Sequence, residues 1–504
     1  MNLLLLRNGS LLDGTGAPAS SGEVLVRGDR IVEVGRVEPP DGARVVDCTG
    51  LTITPGFIDA HSHSDLQVLE GRREKILQGV TTEVVGNCGF STYPAPEDPA
   101  LLREFANGIL RGDGNWGWPS AGAYLEDVKR SPTAHVVSLV GHGSLRIAVA
   151  GHKLGALSAR EVDRMEGLLG EALSAGAAGL STGLMYAPGS SSPLEELERL
   201  CRVVTRYGKI YTSHIRSYFA DLVPAIDEQI DLARRTGCRL QISHLQAVGA
   251  SNWSQQEPAL DRIERARHEG IDVAFDCYPY IAGSTVLTQL LPQWALEGGI
   301  AGMLTRLGDL AERRSIASEV EATIAWRWSD ILISAIGSTK NQAAVGHTLV
   351  ELAAQRECEP VEAMIDLLIE EQGAVNMLSF NQKEENLRKT LTHPLSIVIS
   401  DGFYVNGRPH PRLHGTFPCL LGTYCRDRGW LSLENAVHKI TGAAAERFNI
   451  ADRGRLAPGY IADITVFDAA TVGSPATYEA PEQPPAGIRF VFRNGALCEG
   501  SLPA

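Results

Sequence analysis

The stretch ITPGFIDAHSHSD sets His61 and His63 two residues apart. In an extended strand that spacing turns both imidazoles to one face. Two neutral imidazoles held side by side chelate a transition metal. Cys88 closes the next β-like run, TTEVVGNCGF, between Asn87 and Gly89, where a thiolate would join the same site. His214 in YTSHIRS and His244 in QISHLQ each follow a Ser where a β-like run gives way to a loop. Cys with two His is the donor set of a catalytic zinc, which keeps three protein ligands and one open position. Asp401 in SIVISDG ends a further run. A carboxylate beside such a metal is placed to take a proton from a water that the metal activates. Asp276 in FDCYPY is a candidate supporting carboxylate, while His135 and His142 (in VGHG) carry no assigned role. The sequence has no GxSxG elbow or Ser/His/Asp order, and no HxE…PCxxC, so serine-hydrolase and nucleobase-deaminase chemistry lack support.

These residues need elements to converge them. Strand-like runs lie at 53–63, 81–88, 135–142, 178–186, 209–215, 239–244, 272–278 and 395–401, with helical patterns at 161–175, 194–207, 221–236 and 257–269. Eight strands interleaved with helices predict an α/β protein of the (β/α)8 TIM-barrel type, whose chemistry sits at the C-terminal strand ends. An open doubly wound sheet would want a Gly-rich phosphate loop, and neither GxGxxG nor GxxxxGKS occurs. Short β runs at 3–7, 23–27, 30–34 and 44–47, and again at 463–467 and 488–493, predict a small β-sandwich assembled from both termini. The predicted boundaries are 1–52 and 451–504 for the sandwich and 53–450 for the barrel. The gap from Tyr280 to Leu395 far exceeds a usual connection of about 2–6 residues. An insertion at about 285–390, after the seventh strand, accounts for it. It carries strand-like runs at 331–335 and 374–380 and Trp294, Trp326 and Trp328, and is expected to lie over the barrel mouth as a lid.

Composition bounds the rest. The 504 residues are 44% hydrophobic and 21% charged, which excludes a largely disordered or fibrous chain. A net charge of −14 argues against nucleic acid or a membrane surface as partner. Nine scattered cysteines without CxxC spacing fit a reducing compartment. The opening MNLLLLRNGS has an apolar run of four Leu, short of the ~7–15 of a signal peptide or ~20 of a membrane span. A cytoplasmic protein with a small-molecule partner is expected; nothing in the sequence fixes an oligomeric state.

The ordered set PGFIDAHSH, GVTTEVVGNCG, GLSTGLMYAPG, TSHIRS, ISHLQ, FDCYPYIAGST, SDGFYVNGRPHPRLHGTFP and GRLAPGYIADITVFD runs nearly the whole length. It resembles the amidohydrolase superfamily and, within it, the N-acyl-D-amino-acid deacylases (D-aminoacylases). Relatives of the dihydroorotase and hydantoinase kind bridge two metals with a carboxylated Lys on strand four. Here that strand reads GLSTGLMY, without Lys. The resemblance implies that Cys88 fills that role. It implies a tight zinc on Cys88, His214 and His244, a second, weaker site on His61, His63 and Cys88, and Asp401 as general acid/base. It implies hydrolysis of an N-acyl-D-amino acid, with Arg412 in HPRLHG binding the α-carboxylate and Arg216 a second candidate. Tyr278 or Tyr280, with Ser284, would add hydrogen bonds, and Tyr186 and Gln246 would face the substrate.

One departure bears on specificity. Many members read ISHHK after strand six, with the Lys facing the substrate, whereas this chain reads ISHLQ with Leu245 and Gln246. Without that cation the expected substrates carry neutral, hydrophobic side chains rather than D-glutamate or D-aspartate. The competing readings are another amidohydrolase acting on a cyclic amide or dipeptide, and a non-catalytic metal-binding barrel.

Overall fold

The computed structural model describes residues 3–112 and 114–501. The chain begins with β1 (Leu3–Leu11), β2 (Ser20–Arg27), β3 (Arg30–Gly35), β4 (Arg44–Asp47) and β5 (Thr52–Pro55). The barrel strands β6 (Phe57–Asp59), β7 (Val80–Val85), β8 (His135–Gly141), β9 (Gly179–Gly183), β10 (Ile210–His214), β11 (Arg239–Ile242) and β12 (Val273–Cys277) follow. Then come β13 (Ala282–Val286), β14 (Ile331–Ile336) and β15 (Val375–Phe380) of the insertion, and β16 (Ser396–Val398), which returns to the barrel. The chain ends in β17 (Ile464–Phe467), β18 (Ile488–Arg493) and β19 (Ala496–Glu499).

The terminal strands form one sheet of eight, ordered β19-β18-β17-β5-β1-β2-β3 with β4 branching from β1. The expected sandwich is thus a single branched sheet that curls over its own core of Leu6, Val24, Val26, Ile53, Ile464 and Phe492. The curl brings β3 against the chain entering β17, where Ile31 N–H donates to Tyr460 O at 2.9 Å and Ala462 N–H to Asp29 O at 2.8 Å. The run expected as one strand over 53–63 is two. Thr52–Pro55 pairs with β1 and β17, and Phe57–Asp59 pairs with β7. The hydrogen-bond partners change at Gly56, whose N–H donates to Asp463 O at 2.7 Å while Phe57 N–H donates to Gly79 O at 2.9 Å. The β domain therefore extends past the expected boundary at residue 52.

The eight barrel strands run in the order β16-β12-β11-β10-β9-β8-β7-β6, with every pair parallel. Burial on both strand faces explains their continuous apolar reading. The connecting helices carry the expected signals. The helix Ala159–Ser174 opens on a Ser158/Glu161 capping box and buries Val162, Met165, Leu169, Ala172 and Leu173 at helical spacing. The barrel closes between its first and last strands at the mouth, where Asp401 N–H donates to His61 O at 2.8 Å and His63 N–H to Gly402 O at 3.0 Å. Just below, Asp59 Oδ1 accepts from Ser400 N–H at 2.9 Å, and the buried Lys75 ammonium contacts both Asp59 and Ser400. Backbone of the candidate site residues thus makes the bonds that close the barrel.

The insertion has its own antiparallel sheet, ordered β13-β15-β14, and its own core, including Leu287, Met303, Ile333, Met364 and Met377. It begins at β13, earlier than the expected residue 285. It is tied to the loop after Asp401, since Arg408 N–H donates to Ser334 O at 2.7 Å. Among the described residues no helix is long and apolar enough to cross a membrane.

Candidate metal centre and active site

Each of the chemically able residues lies at or just past the C-terminal end of a barrel strand, and all are buried. Cys88 Sγ is 3.2 Å from His61 Nε2 and 3.5 Å from His244 Nε2. Asp401 Oδ1 is 3.2 Å from His61 Nε2 and 3.3 Å from His63 Nε2. His61, Cys88, His244 and Asp401 offer ligand atoms that all lie within 4.8 Å of one another. His214 packs on His244 with ring centroids 4.7 Å apart, and His63 packs on His61 at 5.4 Å. The two expected metal sites are thus one continuous cluster, and its tightest group mixes donors from both.

The cluster fits zinc. Both ring nitrogens of His214, and Nδ1 of His63 and His244, are buried without a hydrogen-bond partner. Burial drives His244 down to about 4 and His214 well below the usual imidazole range, so both stand neutral, the form that binds metal. Burial pushes the Cys88 thiol up and His61, 3.2 Å away, opposes this; a bound divalent cation would displace the thiol proton.

Local backbone aims these groups. Cys88, His244 and Asp401 have φ of 52°, 34° and 50°. Left-handed residues other than glycine are uncommon, and such strain gathers where geometry serves a site. The Cys88 loop lies on β9: Gly89 N–H donates to Ser181 Oγ at 3.0 Å, and a Cβ on Gly183 would come 1.9 Å from Cys88 O. The end of strand four therefore supports the cysteine loop instead of presenting a lysine. Asp276 Oδ1 accepts from His244 N–H at 2.6 Å and lies 3.6 Å from His61 Nδ1, the supporting role its position suggested.

The cluster opens into a cavity whose lining includes Tyr186, Gln246, Tyr278, Ser284 and Arg412. The Arg412 guanidinium is buried, lies 4.8 Å over the Tyr278 ring, and donates from Nη2 to Ser284 O at 3.3 Å. Its Nη1 stands 2.9 Å from Asp401 Oδ2 outside hydrogen-bond alignment, so Nη1 and Nε both keep unused donors. Burial pushes Asp401 up, but Arg412, His61 and His63 outweigh it and hold the carboxyl well below its usual range. Tyr278 OH donates to Gln246 Oε1 at 3.1 Å. Tyr186 OH meets Thr285 Oγ1 at 3.0 Å, and its ring centroid is 4.9 Å from that of His214.

Two expectations are corrected, for Tyr280 and Arg216, and His142, which carried no assigned role, is found bound elsewhere. Tyr280 does not reach the cavity. Its N–H turns back to Tyr278 O at 2.9 Å, and its ring falls behind, 5.1 Å from that of His410. Arg216 is held by Glu228 at 2.9 Å and by the carbonyls of Ser190 and Ser192. His142 is committed to Glu196 at 2.8 Å, beside Arg146. The sequence reading also missed Tyr218, whose ring stands 5.0 Å from His214 and 5.2 Å from His244. Its position four residues past His214 was the available signal. Phe403, Trp326 and Asn381 also line the cavity, the last two from the insertion.

A closed parallel barrel whose mouth gathers imidazoles, a thiol and a carboxylate defines a metal-dependent hydrolase. Residues 44–497 match the model of the Amidohydrolase family. The chain is 37% identical, over 99% of its length and 94% of the relative's, to an N-acyl-D-glutamate deacylase of Alcaligenes xylosoxydans xylosoxydans. It is 36% identical to a D-aminoacylase of the same organism, covering 98% of this chain and 93% of that one. It matches the crystal structure of an N-acyl-D-glutamate deacylase from Bordetella bronchiseptica, complexed with zinc and a phosphonate mimic of the reaction's tetrahedral intermediate. The TM-score is 0.86 at 34% identity, over 100% of this chain and 98% of that one. The chain belongs to the amidohydrolase family, in the branch of the N-acyl-D-amino-acid deacylases.

Proposed function

We propose that this protein is a zinc-dependent N-acyl-D-amino-acid deacylase of the cytoplasm, selective for neutral, apolar amino-acid side chains. The observation that carries the reading is the pairing of a metal-type donor cluster with a buried guanidinium that keeps Nη1 and Nε unused beside Asp401. A planar fork of this kind suits a carboxylate.

Cys88, His214 and His244 would hold the tight zinc, and His61 and His63 with Cys88 a weaker second one. Zinc, when bound, supplies a water of pKa near 7 and polarises the scissile carbonyl. Asp401 Oδ1, held ionised by Arg412, His61 and His63, receives the proton of the attacking water. The same carboxyl returns it to the leaving nitrogen, which departs as the amine of the D-amino acid. Arg412 holds the α-carboxylate through Nη1 and Nε, with Tyr278 stacked against the guanidinium. Fixing carboxylate and carbonyl leaves one direction for the side chain, which sets the D preference sterically.

Gln246 supports the neutral preference. Gln246 and Val248 line the cavity from after strand six, with Phe219 from after strand five packed on Trp326 of the insertion, and among the lining residues the cationic side chain is Arg412. The relatives named for D-glutamate, for D-amino acids generally and for D-aspartate are 37%, 36% and 36% identical, so overall identity does not discriminate and the pocket must. The cytoplasmic placement rests on nine free cysteines.

The test is amine release from matched N-acetyl-D- and N-acetyl-L-amino acids, neutral and acidic, on zinc-loaded protein. Release from the D series, with N-acetyl-D-methionine or -leucine ahead of N-acetyl-D-glutamate, is expected. Preferred release from N-acetyl-D-glutamate would overturn the pocket argument, and release from cyclic amides or dipeptides alone would overturn the deacylase reading.

A further inference from the structure

A second cavity adjoins the one described above and shares Phe90, Ile109, Met185, Tyr186 and Gln289 with it. Its inner wall comes from loops after the second and fourth barrel strands, Phe90 and Met185 to Pro188. Its outer wall comes from the insertion, with Val286, Leu296, Ile300 and Met303. Tyr186 stands between the two: its ring packs on His214 at 4.9 Å on one side and on Phe90 at 5.0 Å on another, and its hydroxyl meets Thr285 at 3.0 Å. Polar groups gather at Glu104, which accepts from Ile300 N–H at 2.6 Å and lies 3.6 Å from His152 Nε2.

We infer that this chamber binds the acyl group of the substrate, and that it takes neutral acyl groups much larger than acetyl. The inference rests on the deacylase reading above and goes beyond it. Its argument is directional. Arg412 follows β16, the eighth barrel strand, and Tyr186 follows β9, the fourth. In the order of this sheet those strands lie on opposite sides of the barrel. A substrate whose carboxylate sits at Arg412 and whose scissile carbonyl sits at the metal cluster points its acyl carbon away from Arg412, toward the loop after strand four. The amino-acid side chain has a separate wall on the strand-six side, at Gln246 and Val248. A mainly apolar lining favours aliphatic or aryl acyl groups through the area they bury. The Glu104 carboxylate disfavours an acyl tail that ends in a second carboxylate.

The experiment is a chain-length series on D-methionine (acetyl, butanoyl, hexanoyl, octanoyl, and an adipoyl control), read as kcat/KM on zinc-loaded wild type and on Ile300→Trp and Leu296→Trp. Both substitutions fill the chamber from the insertion side and touch neither the metal cluster nor Arg412. The expected result is kcat/KM for octanoyl at or above that for acetyl, poor turnover of adipoyl, and a loss of at least tenfold for octanoyl in the Trp variants. Acetyl turnover in those variants should stay within about twofold, which also shows that they fold. A tenfold fall from acetyl to octanoyl in wild type would overturn the inference. So would equal losses for both substrates, or a loss confined to bulky amino-acid side chains. If wild type cleaves no N-acyl-D-amino acid, the deacylase reading itself fails; if it cleaves acetyl only, that reading stands and the chamber assignment falls.

Discussion

Arg412 Nη1 stands 2.9 Å from Asp401 Oδ2, while the other oxygen of that carboxylate faces His61 and His63 at 3.2 and 3.3 Å. One carboxylate therefore lies between a cation suited to the substrate and imidazoles suited to the metal. A substrate carboxylate engaging the guanidinium, as proposed, would offset part of its positive field and make Asp401 a stronger base as substrate binds. On the proposed roles of Arg412 and Asp401, binding and proton transfer would be coupled through that ion pair.

The coupling predicts the behaviour of Arg412→Met. Loss of a buried charge-assisted contact to the α-carboxylate should raise KM at least tenfold, consistent with about 1.5–3 kcal/mol for such a bond. The pH profile should also move. Arg412 holds Asp401 in its ionised form, so removing it raises the pH at which Asp401 gains a proton. The acid limb of kcat/KM should shift to higher pH; a raised KM with an unmoved limb would contradict the coupling.

Asp401→Asn keeps the shape and removes the base. Turnover should fall by about 10²–10⁴, while zinc content by mass spectrometry stays near that of wild type. Near-normal kcat would remove Asp401 from its role.

Cys88→Ala should abolish tightly bound zinc, because Cys88 is shared by both proposed metal positions. Cys201→Ala, at a buried thiol on the helix Leu194–Arg206 outside the cluster, serves as the control and should retain zinc. Equal zinc content in the two variants would sink the ligand assignment.

Gln246→Lys places a cation where Tyr278 OH now donates to the amide at 3.1 Å. The ratio of kcat/KM for N-acetyl-D-glutamate over N-acetyl-D-methionine should rise at least tenfold. An unchanged ratio would place the side-chain pocket elsewhere.

The strand ends were legible because period-two patterning and turn residues are local. His61, His63, Cys88, His214, His244 and Asp401 all stand at or just past such ends. What escaped was set by tertiary contact. The switch from Thr52–Pro55 to Phe57–Asp59 happens within one apolar run, and only the partner strands tell the two apart. Tyr278 and Tyr280 share a motif, yet a tight turn sends one into the cavity and the other against His410. The resemblance singled out Arg412, but its pairing with Asp401 depends on how the loop after β16 folds back. Trp326 and Asn381 reach the cavity from the insertion, whose fold no local pattern relates to the barrel.

A last prediction concerns stability and lies away from the chemistry. His135 opens β8, at the end of that strand opposite the mouth. Burial, with Arg453 and Arg493 of the β domain nearby, drives its imidazole from 6.5 down to about 4. Arg493 is fixed there by donating to Ala134 O at 2.9 Å, so the β domain itself imposes part of the effect. The unfolded chain binds this proton below about 6.5 and the folded one only near 4, so the unfolded state holds more protons in that window. Stability is complete above 6.5 and declines as pH falls, by about 2 kcal/mol at pH 5 from this residue alone. Urea midpoints of wild type and His135→Gln, compared at pH 7.5 and pH 5, isolate the contribution from other titrations. The variant should lose less stability than wild type on acidification, and parallel losses in the two proteins would show that His135 is protonated as readily in the fold as outside it.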